Sequence, residues 1–312
     1  MDWNAVIGTT LARVVTPPPA VALPSGRLVD LPGRGTTLVV DIPGPPGAPT
    51  LMLLHSLGCT ANLTWFPSYD ALSRHYRVVA FDQRWHGRGI RSPEFRLADC
   101  ADDTAALADQ LGIERFSAVG YSMGGAIAQL VWRRHRGRVE GLVLGGTSRN
   151  FTGRARERLT LGLMGATMAR FSDRALGKMQ ARAARLPAEP ESVPGHAMHV
   201  PSWALAEFRS TSVWSHVAVL AELGRFDSSA WIRRVDVPTS VVVASRDRMV
   251  PSHRQRRLAA AIPGAVQYDV DAGHAAVVLG AEHFVPALVE ACRSVTRRAA
   301  LRARRKGTGG EG

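Results

Sequence analysis

Short, almost wholly apolar runs recur along the chain, and most of them alternate with segments of helical period. The clearest are TLMLLH at residues 50–55, RVVAF at 77–81 and TSVVVA at 239–244. Strands that are apolar along their whole length are buried on both faces, which is typical of parallel sheets covered by helices. The alternation therefore predicts an α/β fold in which helices flank a mostly parallel sheet.

Eight strands are predicted, and the first two precede the alternating part of the chain. They lie at residues 27–31 and 36–42, separated by a Gly-rich turn. The other six are predicted at residues 50–55, 77–81, 116–121, 141–145, 239–244 and 265–270. The clearest helices are predicted at residues 3–15, 99–111, 123–134 and 252–261.

The strand–helix alternation stops between about residues 148 and 227. This stretch is Arg-rich, has helical period and is interrupted by four prolines, Pro187, Pro190, Pro194 and Pro201. We therefore predict a helical cap, residues 148–227, inserted after the sixth strand. The rest of the chain divides into three parts. Residues 1–26 are an N-terminal extension, residues 27–147 and 228–292 form the α/β core, and residues 293–312 are a basic tail that we expect to be disordered.

The net charge of +13 is concentrated in two segments. Residues 154–185 hold eight basic and two acidic side chains, and residues 293–312 hold seven basic and one acidic, which together make up twelve of the thirteen charges. The basic tail has two interpretations: a solvated end that aids solubility, or a weak contact with an anionic membrane that the basic cap strengthens. Nucleic-acid binding is not expected, because no aromatic residues are interleaved with the charges.

The three cysteines, Cys59, Cys100 and Cys292, have neither the number nor the spacing of a disulfide framework or a metal site. This usage fits a reducing compartment. The opening sequence MDWNAVIGTTLARVV does not have the pattern of a secretory signal, and no apolar run is long enough to predict a membrane span. We therefore expect a cytoplasmic protein whose contact with membranes, if any, is peripheral.

The segment Gly120-Tyr121-Ser122-Met123-Gly124 fits the pattern G-x-S-x-G. Five residues with three fixed positions are weak by themselves, but a predicted strand precedes this segment and a predicted helix follows it. A serine at such a turn is held in a strained conformation that directs its Oγ into a cleft. Ser122 is thus the candidate nucleophile, and the alternative is a glycine-rich turn with an idle serine.

A serine nucleophile needs a base, and the base needs a carboxylate that orients it. His274 follows the last predicted strand, and Asp247 follows the strand before it, so both lie at the sheet edge where Ser122 lies. Asp271 is the rival acid, but it is only three residues from His274 in the same turn. The predicted triad is Ser122, His274 and Asp247.

Acyl transfer also needs hydrogen-bond donors for the oxygen that becomes negative in the transition state. One predicted donor is the backbone N–H of Met123, directly after the nucleophile. The other is the backbone N–H of Leu57 in the loop after the strand at 50–55, where Gly58 lets the chain turn sharply.

Taken in order, the motifs HSLG, FDQRWHGRG, GYSMGG, SRDRMVP and DAGH resemble those of the α/β-hydrolase fold family over residues 27–292. The resemblance is to capped esterases, enol-lactonases and non-haem perhydrolases in particular. It implies an eight-stranded, mostly parallel sheet with the cap over the site. It also implies Ser122, Asp247 and His274 as the triad, in the family's order, and Leu57 and Met123 as the oxyanion donors.

Two positions depart from the family pattern. His55-Ser56 stands where the family usually has His-Gly, and Trp85 stands where Arg-Gly-His-Gly has its first glycine. In the same loop we interpret Asp82 and His86 as structural hydrogen-bonding residues. A serine at the nucleophile position disfavours the dehalogenase and epoxide-hydrolase branches, which use aspartate there.

The sequence thus predicts a serine hydrolase that cleaves a carboxylic ester, lactone or thioester through an acyl-enzyme. Two alternatives stay open: a carbon–carbon bond hydrolase or perhydrolase with the same triad, and a non-catalytic ligand-binding protein. We expect a small lipophilic substrate, with Tyr121, Trp203 and Trp214 in its pocket. No cofactor or metal is expected, because nucleotide and flavin motifs are missing from the sequence and His196 and His199 lack a third ligand.

Overall fold

A computed structural model describes residues 23–152 and 213–308 of the chain. Its strands are β1 (Gly26–Leu31), β2 (Gly35–Ile42), β3 (Thr50–Leu54), β4 (Arg77–Phe81), β5 (Phe116–Tyr121), β6 (Val139–Gly145), β7 (Thr239–Ala244) and β8 (Val266–Val270). They form one sheet in the order β1-β2-β4-β3-β5-β6-β7-β8. Strand β2 is antiparallel to β1 and β4, and every other pair is parallel. The predicted eight-stranded, mostly parallel sheet is confirmed.

Helices cover both faces of the sheet. They are α1 (Ala61–Trp65), α2 (Tyr69–Ser73), α3 (Leu97–Gln110), α4 (Met123–Arg134), α5 (Val213–Arg225), α6 (Ser252–Ala261), α7 (Ala276–Leu279) and α8 (Ala281–Thr308). One core cluster joins α3, α4 and α6 to one face of the sheet, and a second joins α1, α2 and α8 to the other. Alternate residues of β2 to β7 therefore enter different cores, which is why β3, β4 and β7 are almost wholly apolar, whereas the edge strands β1 and β8 carry exposed polar residues.

The predicted strands agree with the observed ones to within two residues at each end. The short helices α1 and α2 were not predicted, since five residues are too few for a helical period to show. Of the predicted cap, only residues 148–152 and 213–227 are described, and they include α5. The predicted helix at 3–15 and the remainder of the cap lie outside the described residues.

The two ends of the predicted cap meet beside β6. Asn150 and Asp227 form an antiparallel bridge, and the Thr152 hydroxyl donates to the Gly224 carbonyl at 3.1 Å. The rings of Phe151 and Phe226 lie 6.1 Å apart between them. These contacts form a neck, residues 150–152 with 224–227, through which the chain leaves the sheet and returns to it.

The basic tail differs from the expectation. Residues predicted to be disordered from position 293 onward continue the helix α8 to Thr308. Val295 is buried, and the Arg298 guanidinium donates to the carbonyls of Gly264 and Thr239 at 2.8 and 2.7 Å. Packing and these bonds hold the helix to the body up to this point, and the alanines, leucine and arginines that follow have high helix propensity.

No helix in the described parts of the chain combines the length and the apolar character that crossing a bilayer requires. Side chains 300–305 at the end of α8 are all exposed. Together with Arg297, which is also exposed, these residues form an arginine-rich arm.

His55 joins the end of β3 to the loop after β4. Its Nε2 accepts a hydrogen bond from the backbone N–H of Gln83 at 2.7 Å, and its Nδ1 lies 2.8 Å from the carbonyl oxygen of Ser56. These partners fix a neutral ring that donates from Nδ1. Burial lowers the pKa of His55 to about 4, and the bond to Ser56 offsets this only in part.

This buried neutral histidine predicts a pH-dependent stability. The unfolded chain takes up a proton below a pKa of about 6.5, whereas the folded protein does not until about pH 4. The free energy of unfolding should therefore fall as the pH drops through this window, by at most about 1.4 kcal/mol per pH unit from this group. Urea denaturation at pH 7 and pH 5.5 measures the slope.

The matched comparison is between His55→Gln and His253→Gln, since His253 is exposed. The His55 variant should lose most of the pH slope, and the His253 variant should keep it. Equal slopes in both variants would show that His55 does not carry the effect.

Candidate active site

Ser122 occupies a sharp turn between β5 and α4. Its backbone has φ 54° and ψ −115°, a left-handed φ that non-glycine residues adopt at a cost of about 1–3 kcal/mol. The turn is held by hydrogen bonds, because the Ser122 N–H donates to the Gly145 carbonyl at 2.9 Å and the Gly125 N–H donates to the Ser122 carbonyl at 3.0 Å. The strain is thus maintained by the sheet on one side and by the helix on the other.

Two glycines make this turn possible because they have no side chain, and not because they adopt a left-handed backbone. A Cβ on Gly120 would collide with the carbonyl of Gly124, and a Cβ on Gly124 would collide with the carbonyl of Leu54 at the end of β3. The first turn of α4 therefore lies directly against the carboxyl ends of β3 and β5. This contact is the physical reason for both glycines of the G-x-S-x-G pattern.

Ser122, His274 and Asp247 lie in one hydrogen-bonded chain. His274 Nε2 is 3.0 Å from Ser122 Oγ, and His274 Nδ1 is 2.7 Å from Asp247 Oδ2. An ionised carboxylate can only accept, so the proton on the ring is assigned to Nδ1, and Nε2 is left to accept from the serine hydroxyl. The side chain of Asp247 is fully buried and that of His274 is 16% exposed.

The loops after β7 and β8 bring the acid and the base together. The Ser245 N–H donates to the Val270 carbonyl at 2.9 Å and the Arg246 N–H to the Ala272 carbonyl at 3.0 Å, which extends the strand pairing beyond the sheet. Asp247 Oδ1 accepts from the backbone N–H groups of Met249 and Val250, each at 2.9 Å. These two bonds hold the carboxylate independently of its contact with His274.

The rival acid lies elsewhere. Asp271 is exposed, and its carboxylate pairs with Arg246 at 2.9 Å rather than with His274. Neither His253 nor His135 belongs to the chain of hydrogen bonds, because His253 is exposed and His135 pairs with Asp102 at 2.8 Å. His196 and His199 lie outside the described residues.

The predicted oxyanion donors lie on the two segments that Gly124 brings together. Met123 begins α4, and the first N–H groups of a helix have no acceptor within it. Leu57 lies in the loop after β3, packed against the core and followed by Gly58 with φ 73°. Burial raises the pKa of the neighbouring Cys59 thiol to about 11, so this cysteine is not a competing nucleophile at neutral pH.

Of the three predicted pocket residues, only Tyr121 has a side chain in the described part of the structure. Tyr121 was expected to line the substrate pocket, but it is 1% exposed and its ring stands edge-on to Phe284, with centroids 5.2 Å apart. Its hydroxyl donates to the His274 carbonyl at 2.8 Å, so it supports the histidine loop from beneath. Trp203 and the side chain of Trp214 lie outside the described residues.

The loop after β4 has the structural character predicted for it. Asp82 accepts from the backbone N–H groups of Ala61 and Arg88 at 2.9 and 2.8 Å, which ties this loop to α1. His86 is buried, with Nδ1 2.8 Å from the Arg84 carbonyl. Trp85, which stands in place of a glycine, has φ 65°. The left-handed backbone explains why the family favours glycine there.

Sequence reasoning missed Gln255, which donates to Asp247 Oδ2 at 2.9 Å. It is fully buried on α6 together with Leu258 and Ala259. These positions have the spacing i, i+3 and i+4 of one helix face. A polar residue on that buried face is the signal that could have identified it.

The arrangement can move a proton from a serine hydroxyl to an imidazole whose charge a buried carboxylate then stabilises. This is the chemistry of nucleophilic acyl transfer.

The chain is similar to hydrolases over most of its length. It is 26% identical to a poly(3-hydroxyalkanoate) depolymerase of Ectopseudomonas oleovorans over 288 residues, covering 89% of this chain and 96% of the relative. A shorter match of 95 residues is 39% identical to 3-oxoadipate enol-lactonase 1 of Acinetobacter baylyi, covering 30% of this chain and only 35% of the relative.

The crystal structure of an enol-lactonase from Burkholderia xenovorans shares the fold, with a TM-score of 0.63 and 23% identity over 86% of this chain and all of that one. Residues 49–281 match the family described as alpha/beta hydrolase fold. The match includes the strained serine turn and the loops that carry Asp247 and His274. The chain belongs to the α/β-hydrolase fold family.

Proposed function

We propose that the protein is a serine hydrolase that cleaves a carboxylic ester, lactone or thioester through an acyl-enzyme. The observation that carries the proposal is the chain from Ser122 Oγ to His274 Nε2 and from His274 Nδ1 to Asp247 Oδ2, at 3.0 and 2.7 Å. The relatives named for lactone and polyester cleavage support the same bond type.

In the first half of the reaction, Ser122 Oγ attacks the carbonyl carbon while its proton passes to His274 Nε2. Asp247 stabilises the imidazolium through Nδ1. The imidazolium then gives its proton to the departing alkoxide or thiolate, which leaves an ester of Ser122. In the second half, His274 takes a proton from water, the hydroxide attacks the acyl carbon, and Ser122 leaves with the proton returned.

The carbonyl oxygen becomes negative in each tetrahedral intermediate. Backbone N–H groups of Leu57 and Met123 are the donors we assign to it. The contact between Gly124 and the end of β3 supports this assignment, because it holds the start of α4 against the strand from which the Leu57 loop departs. The positive end of the α4 dipole adds to the stabilisation.

The same triad also suits a carbon–carbon bond hydrolase or a perhydrolase, and the fold alone does not separate them. Chromogenic esters of increasing acyl length test the ester reaction directly. Turnover that depends on acyl length supports the proposal and reports the size of the acyl site. No turnover of any ester would favour the ligand-binding alternative.

Ser122→Ala should reduce kcat by at least about a thousandfold, because the attacking atom is removed. The fold should persist, since alanine replaces only one hydroxyl, and near-UV circular dichroism checks this. A purified variant that retained a tenth of the activity would contradict the nucleophile assignment.

Asp247→Asn should reduce kcat by about a thousandfold or more, because the amide cannot stabilise the imidazolium and favours the wrong tautomer. Asp271→Asn is the matched control and should stay within about twofold, since its carboxylate is 76% exposed and pairs with Arg246. The opposite ranking of the two variants would make Asp271 the acid.

In the wild type, kcat/KM should fall on acidification, because a protonated imidazole cannot accept the serine proton.

We further propose that the arm of α8 makes a weak contact with anionic membranes. Four arginines, Arg297, Arg302, Arg304 and Arg305, are exposed there, and the sequence holds no acidic residue between Glu290 and Glu311. Each basic residue near an anionic surface contributes about 1 kcal/mol. The contact would hold the enzyme near lipophilic esters.

Replacing Arg302, Arg304 and Arg305 by glutamine should weaken co-sedimentation with phosphatidylserine vesicles at low salt and leave hydrolysis of a small soluble ester unchanged. The same three changes to lysine keep the charge and should keep the binding, which in both proteins should fade as salt rises. Equal sedimentation of the glutamine and lysine proteins at low salt would exclude the arm as a membrane contact.

A further inference from the structure

Gln255 is a fully buried amide that contacts the acid of the site and two backbone groups around it. Its Nε2 donates to Asp247 Oδ2 at 2.9 Å and to the Val250 carbonyl at 2.7 Å, and its Oε1 accepts from the Ala244 N–H at 3.0 Å. One side chain thus connects the last residue of β7, the acid and the loop that follows the acid.

The orientation of this amide is determined by its partners. Asp247 Oδ2 and the Val250 carbonyl are both acceptors, so they must face the NH2 group, whereas the Ala244 N–H must face the oxygen. A flipped amide would place its oxygen against two acceptors. Gln255 is therefore a fixed donor toward the carboxylate.

The carboxylate of Asp247 has four donors, two on each oxygen. Oδ1 accepts from the Met249 and Val250 N–H groups, and Oδ2 accepts from Gln255 and His274. A carboxylate offers about four such positions, so every one of them is used. The same oxygen serves Gln255 and the catalytic imidazole.

The charged neighbours of Gln255 on α6 pair with other groups. Arg254 donates to the Phe151 carbonyl at 2.9 Å, and Arg256 pairs with Asp269 at 2.7 Å. On the facing loops, Arg246 pairs with Asp271 at 2.9 Å. Gln255 is thus the side chain that, besides His274, donates to Asp247 in the described part of the chain.

We propose that Gln255 is a positioning residue that sets the orientation and the basicity of Asp247, and through it those of His274. The role in turnover rests on the proposed serine-hydrolase function. The role in holding the Asp247–His274 pair does not, because it follows from hydrogen bonds that are present without substrate.

Removing the donor has two consequences. The Asp247 carboxylate loses one of the four hydrogen bonds that hold it, so it can shift. This shift should misalign His274 and lower kcat without a comparable change in KM. Oδ2 also keeps more of its negative charge for the imidazole, because it no longer shares that charge with the amide. Protonation of His274 then becomes easier, and its titration midpoint moves to higher pH.

The test compares Gln255→Met with the wild type and with Gln267→Met. Gln267 is the matched control, because it also donates to an aspartate, Asp269, at 2.6 Å but lies on the surface. The His274 ring is followed by NMR during a pH titration without substrate, and kcat and KM are measured on a soluble ester. Thermal unfolding is recorded for each protein.

Gln255→Met should raise the His274 midpoint by about one pH unit and lower kcat by about tenfold to a hundredfold, whereas Gln267→Met should change neither. A lower Tm with an unchanged midpoint and kcat would overturn the proposal, because it would reduce Gln255 to packing. If Gln255→Met does not fold, Gln255→Asn replaces it, since its amide is one methylene too short to reach Asp247, and the same midpoint change is expected.

The titration separates this inference from the proposed function. A midpoint that moves in an enzyme that hydrolyses no ester would support the positioning role and contradict the ester reaction. An unchanged midpoint in an enzyme that hydrolyses esters would contradict the positioning role and support the ester reaction.

Discussion

The close contact between the start of α4 and the carboxyl ends of β3 and β5 is the constraint on which the site depends. Two glycines leave no side chain between these elements, and Ser122 accepts a left-handed backbone so that the chain can reverse there. The strain costs about 1–3 kcal/mol and is offset by the two cores on either side of the sheet. A looser contact would leave the serine in an ordinary turn, out of reach of His274.

The sequence was sufficient to predict the parts of the structure that follow from strand order. Parallel strands bring their carboxyl ends to one edge, so a serine after β5, an acid after β7 and a histidine after β8 had to lie close together. The choice of Asp247 over Asp271 followed from the same geometry. Asp271 is too close to His274 in the same turn for its carboxylate to reach the imidazole well, whereas Asp247 approaches from the end of the neighbouring strand.

What the sequence did not reveal depends on contacts between distant segments. Tyr121 has the size of a pocket residue, and only the fold shows that its hydroxyl reaches the His274 carbonyl. The tail was expected to be disordered, but Arg298 donates to the carbonyls of Thr239 and Gly264, which are remote in sequence. Gln255 was overlooked because its helix is polar on most positions, and the buried face that it shares with Leu258 and Ala259 is marked by only three residues.

The neck formed by residues 150–152 and 224–227 holds the two ends of the intervening segment side by side. Because Asn150 and Asp227 are paired directly, the segment between them starts and ends at nearly one point of the sheet edge. Lengthening such a segment costs little, about 0.6 kcal/mol for each doubling of its length. A change in the length of this segment can therefore be accommodated at the neck, while β7, β8 and the loops that hold Asp247 and His274 keep their positions.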